Sequence, residues 1–230
     1  MQLKTRLFSP AFMIVLSLGF LSCGIENYLY LNPVSSYSAY PTYLSFTLPA
    51  DQPSGYFKNY RIYYRIYTSD TGPTGATIGV ADIGNAALVS DYNALAPYFS
   101  SSENAPVYVQ SLLEDQLGYY DLALAGVDIT ELLAENDKAL TLDFDPVNIF
   151  NEVVLTIDGT GYAARRSVIN PIPDSTFYYS NDLAESVDAD IEDGGDGYAY
   201  AAFVIVAVGI DSNASIVFSA PTFLGTLNLP

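Results

Sequence analysis

The chain has 230 residues, with 26 Asp+Glu against 8 Lys+Arg for a formal net charge of −18, no His, no Trp and one Cys. Without His and with a single Cys it can build no zinc finger, imidazole metal centre, Ser-His-Asp triad, Cys-His dyad or internal disulfide. The charge excludes non-specific nucleic-acid binding, which needs Lys and Arg on the phosphates; a 50% hydrophobic content with 20 Tyr and 12 Phe excludes a wholly disordered chain.

Lys4 and Arg6 precede an apolar run of 11 residues, Ala11 to Leu21 (AFMIVLSLGFL). The run is too short for a membrane span, which needs about 20 residues, and has the form of the apolar region of a secretory signal. It ends in Phe20-Leu21-Ser22-Cys23. This ending resembles the lipobox of bacterial lipoproteins, in the relaxed form of spirochaetal ones, with small Ser22 before Cys23 and Phe20 where Leu is usual. The resemblance implies that residues 1–22 are a signal peptide cut before Cys23, that the Cys23 thiol carries a diacylglycerol, and that the new amine is acylated. It also implies a bacterial cell envelope location, at the outer membrane, with the membrane as partner through the lipid. Each buried CH₂ contributes about 0.8 kcal/mol and one chain binds only marginally, so two or three chains are needed for stable anchoring. The alternative is an ordinary secretory signal whose first mature residue is Cys. Loss of Lys4 and Arg6 takes the charge from −18 to −20. Such a surface is repelled by anionic headgroups, so lipid rather than the protein face holds it to the membrane.

Residues 23–40 read as a lipidated tether, and the Tyr-rich later part is expected to lie on the domain. Residues 41–230 read as a single β-rich domain. Thr42 to Leu48 alternates, with Leu44, Phe46 and Leu48 on one face, the period of a half-buried strand. Pro49 to Gly55 is a turn-rich loop. Tyr60 to Tyr67 (YRIYYRIY) is the strongest strand, with Tyr60, Ile62, Tyr64 and Ile66 on the inward face and Arg61, Tyr63, Arg65 and Tyr67 on the other. Ser69 to Gly79 reads as loop. Asn85 to Tyr98 has helical spacing, and Val107 to Leu117 favours a helix slightly. Tyr119 to Ala125 reads as a strand, and Ile129 to Ala134 as a short helix capped by Asp128. Leu140, Leu142 and Phe144 alternate as a strand. Val153 to Ile157 and Tyr162 to Val168 form a hairpin about Asp158-Gly-Thr-Gly161. Thr176 to Ser180 is a short strand. Asn181 to Gly197 holds seven acids and three Gly. Tyr200 to Ile210 (YAAFVIVAVGI) is apolar on both faces, as a central buried strand would be. Ser215 to Ser219 returns from the Asp211-to-Ala214 turn, and Pro221 to Leu229 ends the chain as an edge segment.

TYLSFTLP, YRIYYRIY and AFVIVAVGIDSNASIVFSAP together resemble the B, C, F and G strands of a fibronectin type III module. Phe46 would be the inward aromatic of strand B. Ile205 to Gly209, the Asp211-to-Asn213 turn, then Ser219 and Pro221 would be the F–G passage. The family's strand-F Tyr would fall at Ala201, and the nearest Tyr here is Tyr200. The resemblance implies a mainly β fold: a fibronectin type III or immunoglobulin-like sandwich core, 41–70 plus 197–230, carrying a large α+β insertion over 71–196. Some other β-rich fold with helical insertions is the alternative.

Two groups of residues are candidate sites. Asp188, Asp190, Glu192, Asp193 and Asp196 crowd nine positions among Gly194, Gly195 and Gly197. Alternating carboxylates with Gly can wrap Ca²⁺, which takes 6–8 oxygens. The EF-hand pattern fails here, because its Gly position is Asp193 and its last Glu position is Ala199. A solvated acidic loop is the plainer reading, and no other cofactor is expected. The Arg61, Tyr63, Arg65 and Tyr67 face could bind a ligand, or be a solvated face whose Arg stems cover Tyr rings. Arg165-Arg166 reads as structural ion pairing, since adjacent strand residues face opposite sides. Asp143 and Asp145 share a strand face, whereas glycosidases need carboxyls from different elements. The expectation is therefore a non-enzymatic, membrane-anchored envelope lipoprotein that binds a protein or glycan partner. A structural or assembly component facing the periplasm is the alternative.

Overall fold

The computed structural model describes residues 31–40, 42–67, 109–116, 118–144, 152–167, 176–177, 187–190 and 199–229. Residues 1–22, expected to be a signal peptide, with Cys23, the loop expected at 69–79, the helix expected at 85–98, and Glu192, Asp193 and Asp196 lie outside the described residues, as does most of the strand expected at 176–180.

The fold is mainly β, an antiparallel sheet curled on itself. In chain order the strands are β1 (Ser36–Ala39), β2 (Tyr43–Thr47), β3 (Phe57–Tyr67), β4 (Tyr120–Leu124), β5 (Ala139–Phe144), β6 (Val153–Ile157), β7 (Thr160–Arg166), β8 (Ala189–Asp190), β9 (Ala199–Ile210), β10 (Ile216–Phe218) and β11 (Thr222–Leu229). A π-wound turn (Leu112–Gln116) precedes β4, and one short helix, α1 (Ile129–Leu132), precedes β5. The sheet order is β1-β2-β5-β6-β7-β4-β3-β9-β10, with β11 also on β9 and β8 also on β3.

Period-two alternation sets the register. Leu44 and Phe46 of β2 oppose Leu142 and Leu140 of β5, and all four are buried in the main core. On β3, Tyr60, Ile62, Tyr64 and Ile66 oppose Ala207, Ile205, Phe203 and Ala201 of β9 in the same core. The alternate β9 residues Ala202, Val204 and Val206 are buried as well, so β9 is covered on both faces, as its unbroken apolar run requires. β10 and β11 follow one another along the same edge of β9. Between them, Ser219 N donates to Ala207 O and Ala207 N donates to Ser219 Oγ, both at 2.9 Å, which carries the ladder to Pro221.

The described part of 71–196 holds β4 to β8, and β5, β6, β7 and β4 join β2 to β3 within one sheet. The folded unit also already includes Leu31, ahead of the boundary expected at 41, because Leu31 and Val34 supply buried apolar side chains. The α1 cap is as read, with Asp128 Oδ1 accepting from Thr130 N at 2.8 Å.

β11 closes the curl against β1 and β2. A Cβ at Gly225 would come within 2.7 Å of both Ala39 Cβ and Leu44 Cδ2. Only a residue without a side chain allows that approach, and Gly225 also has φ +134.

Candidate functional site

The candidate face of β3 is not a solvated ledge. Tyr63 is fully buried, while Arg61 and Arg65 are half-buried. The 109–116 segment reaches it, since Tyr63 Oη donates to Glu114 Oε1 at 3.3 Å, and Val109, Leu113 and, just beyond the segment, Tyr119 are buried. Glu114 also accepts from Gln110 Nε2, at 2.9 and 3.1 Å. Burial pushes the Tyr63 hydroxyl well above its ordinary value, and the Asp121 carboxylate adds to the rise. Arg61 Nη1 stands 3.9 Å from Asp121 Oδ2. Burial raises the Asp121 carboxyl, and the Arg61 guanidinium offsets part of that. Arg65 lies under the backbone at Gly118, where a Cβ would meet its Nη1 at 3.2 Å. Of Tyr67 the structure describes the backbone, which pairs with Tyr200 and Asp190. The three described side chains thus divide: the two Arg reach the surface, and Tyr63 works as packing.

The first residue of the acidic run has a different role from the others. Asp188 is buried against Arg166, whose Nε donates to Asp188 Oδ2 at 2.8 Å and whose Nη2 donates to Oδ1. Tyr64 Oη donates to the same Oδ2 at 2.8 Å and accepts from Ser167 N at 3.1 Å. Asp188 O accepts from Ile66 N at 3.0 Å, which sets β8 parallel to the end of β3. Both Asp188 oxygens are therefore engaged by the protein itself. Burial works against the Arg166 charge, and the Asp188 carboxylate more than offsets it, so the guanidinium is held above its ordinary value. Burial, with the Asp188 charge behind it, raises Tyr64 strongly. Of Asp190 the structure describes the backbone, which pairs in β8 with Tyr67. Among the described residues, no group of three or more carboxylates and thiols is placed to hold a metal ion.

Arg165, on the other face of β7, donates to Glu152 Oε2 at 2.7 Å. Both members of the basic doublet are therefore in structural ion pairs, on opposite sides of the strand.

Two features carried no sequence motif. The first is the pinning of Asn32. Its N donates to Gln52 Oε1 at 3.0 Å, its Nδ2 donates to Asp51 O at 2.9 Å, and its O accepts from Gln52 Nε2 at 2.7 Å. Gln52 Nε2 also donates to Tyr60 Oη at 2.9 Å, and burial pushes that phenol up to about 12. The second is a set of tyrosines at the opposite end of β1 and β2. Tyr37 and Tyr40 are 50% and 49% exposed. Tyr40 stacks on Tyr43 with centroids 4.4 Å apart and planes 21° apart. Tyr37 faces the core side of β1, opposite Phe46, yet stays half open.

The chain matches no known protein-family model, no curated protein and no solved structure. No described helix is long and apolar enough to cross a membrane.

Proposed function

We propose that the protein is a non-enzymatic lipoprotein of a bacterial envelope, held to the outer membrane through acyl chains on Cys23, and that it binds a protein or glycan partner. The observation that carries the reading is Phe20-Leu21-Ser22-Cys23 closing an apolar run after Lys4 and Arg6. Lipid on the one thiol gives the single Cys a purpose, and a chain whose acids outnumber its bases needs such an anchor at an anionic surface.

The domain supports the binding half of the reading. Its strongly bound polar groups, Arg166 with Asp188 and Arg165 with Glu152, are spent on structure. Tyr37, Tyr40 and Tyr56 are left outward, and tyrosines offer large contact area at low entropy cost. The fibronectin-like sandwich belongs with this proposal, and the adjacency β3-β9-β10, with β11 continuing β10 along β9, is compatible with a C-F-G order. Fold by itself assigns no activity.

The test is protease treatment of intact and lysed cells, with Cys23→Ala beside the wild type. Digestion on intact cells, with Cys23→Ala released as soluble protein, is the expected result. Survival until lysis would favour the structural component facing the periplasm. An unchanged location and unchanged processing in Cys23→Ala would overturn the anchor.

A further inference from the structure

The place where the chain enters the domain fixes which end faces the membrane. Leu31 is buried and lies beneath β9, where a Cβ at Gly209 would meet its Cδ1 at 3.2 Å. Asn32 is held by three hydrogen bonds to Asp51 and Gln52. Tyr56 O accepts from Ile210 N at 2.9 Å at this same end. From here β1 and the chain before it run away from the entry, toward Tyr40, because Ala39 opposes Leu44 at the start of β2 and Ser36 opposes Thr47 at its finish. β3 also starts at the entry end, with Phe57 against Gly209, and finishes with Tyr67 against Tyr200.

The lengths decide the orientation. Eight residues of chain lead from Cys23 to Leu31, a reach of at most about 29 Å. β3 is 11 residues long, about 33 Å. A leash of eight residues leaves from one end of the sheet and spans only about 16 Å on average, so laying the far end on the bilayer would need the leash almost fully extended. We infer that the end with Asn32, Gln52 and Tyr56 faces the membrane, and that the Tyr40–Tyr43 stack and the ends of β3 and β9 at Tyr67 and Tyr200 point away from it, toward partners. This rests on the Cys23 anchor proposed above.

The membrane-facing end holds itself there by the chain and not by adhesion. Asp51, Glu135, Asp137, Asp158 and Asp211 gather on it and outnumber Lys58 and Lys138 there: Asp137 N donates to Pro49 O, Asp158 N donates to Ala139 O, Lys138 pairs with Glu135, and Asp211 follows β9. Anionic headgroups repel this set, so the leash sets the orientation and a longer leash would lose it.

The absence of Trp supplies a clean reporter. Tyr56→Trp and Tyr40→Trp replace rings that are 41% and 49% exposed, so each folded protein carries one indole. The full lipidated chains are placed in phosphatidylcholine vesicles containing a lipid with a nitroxide on its headgroup. The expected result is quenching of the reporter at 56 and none at 40. A long Gly/Ser insertion between Tyr30 and Leu31 should abolish the difference. Equal quenching at the two positions without the insertion, or stronger quenching at 40, overturns the orientation while leaving the anchor intact. The mass of the Cys23 peptide separates the two readings: a chain without acyl groups on Cys23 overturns the anchor and the orientation together.

Discussion

Arg166 and Asp188 stand 22 residues apart in sequence and meet as a buried ion pair, with side chains 3% and 0% exposed. The pair joins the end of β7 to the strand-like turn before β8, and Tyr64 Oη donates into it from the middle of β3. Three elements from distant parts of the chain are thus tied through one carboxylate.

Removing either partner strands a charge out of water. Asp188→Leu or Arg166→Met should each destabilise the domain by about 3–5 kcal/mol. The double replacement Arg166→Met with Asp188→Leu should cost much less than the sum, since no unpaired charge remains. Urea unfolding midpoints at constant slope would measure this. An additive double mutant would show that the two side chains act independently.

Alkaline pH should unfold the protein through its buried tyrosines. Tyr60, Tyr63 and Tyr64 all have folded values raised by burial, Tyr60 to about 12. A group whose folded value lies above its unfolded one contributes stability below the unfolded value, about 10 for Tyr. That contribution is lost as pH climbs through the folded value. Stability should therefore be insensitive to these three groups below pH about 10 and fall steeply above it. Phenolate absorbance should rise in one step together with loss of the β signal. Non-cooperative titration of all 20 tyrosines in a still-folded protein would refute the assignment.

Closure of the curl rests on Gly225. Gly225→Ala forces a Cβ within 2.7 Å of Ala39 and Leu44 and leaves an L-residue at a positive φ. The expected cost is about 1–3 kcal/mol from overpacking, with backbone strain added. Gly55, which also has a positive φ, has open space where its Cβ would be. Gly55→Ala should pay only the strain, and the difference in thermal midpoint between the two variants isolates the contact with β1 and β2.

Strands were legible where alternation was strict. β2, β3, β5 and the β6–β7 hairpin fall where Leu44, Ile62, Leu142 and Val154 place them. The Asp128 cap was legible because its chemistry is local. Partnerships were not legible, because period two says which way a side chain points and nothing about which strand lies beside it. So β2 was readable as a strand, but its neighbour β5, nearly a hundred residues on, was not. Asp188 shows the same limit within one residue. Its place in an acidic run favoured water or a cation, while Arg166 and Tyr64 came to it through the fold. Tyr63 was read with the Arg face it alternates with, and the helical turn above it had no periodic signal strong enough to foretell a second cover.

The two kinds of residue on that face make the last prediction. Tyr63 is fully buried and bonded to Glu114, so Tyr63→Ala should cost about 3–5 kcal/mol, as for other large aromatics. Tyr63→Phe keeps the ring and loses one hydrogen bond to Glu114, for about 1 kcal/mol. Arg61 is partly exposed, with a long contact to a half-exposed Asp121 and a side-chain contact with the Tyr63 hydroxyl, so Arg61→Ala should change stability by no more than about 1 kcal/mol. The ordering Tyr63→Ala, Tyr63→Phe, Arg61→Ala in denaturant midpoint tests the covered face directly. Were Tyr63 a surface contact instead of packing, Tyr63→Ala would fall to the small effect expected of Arg61→Ala.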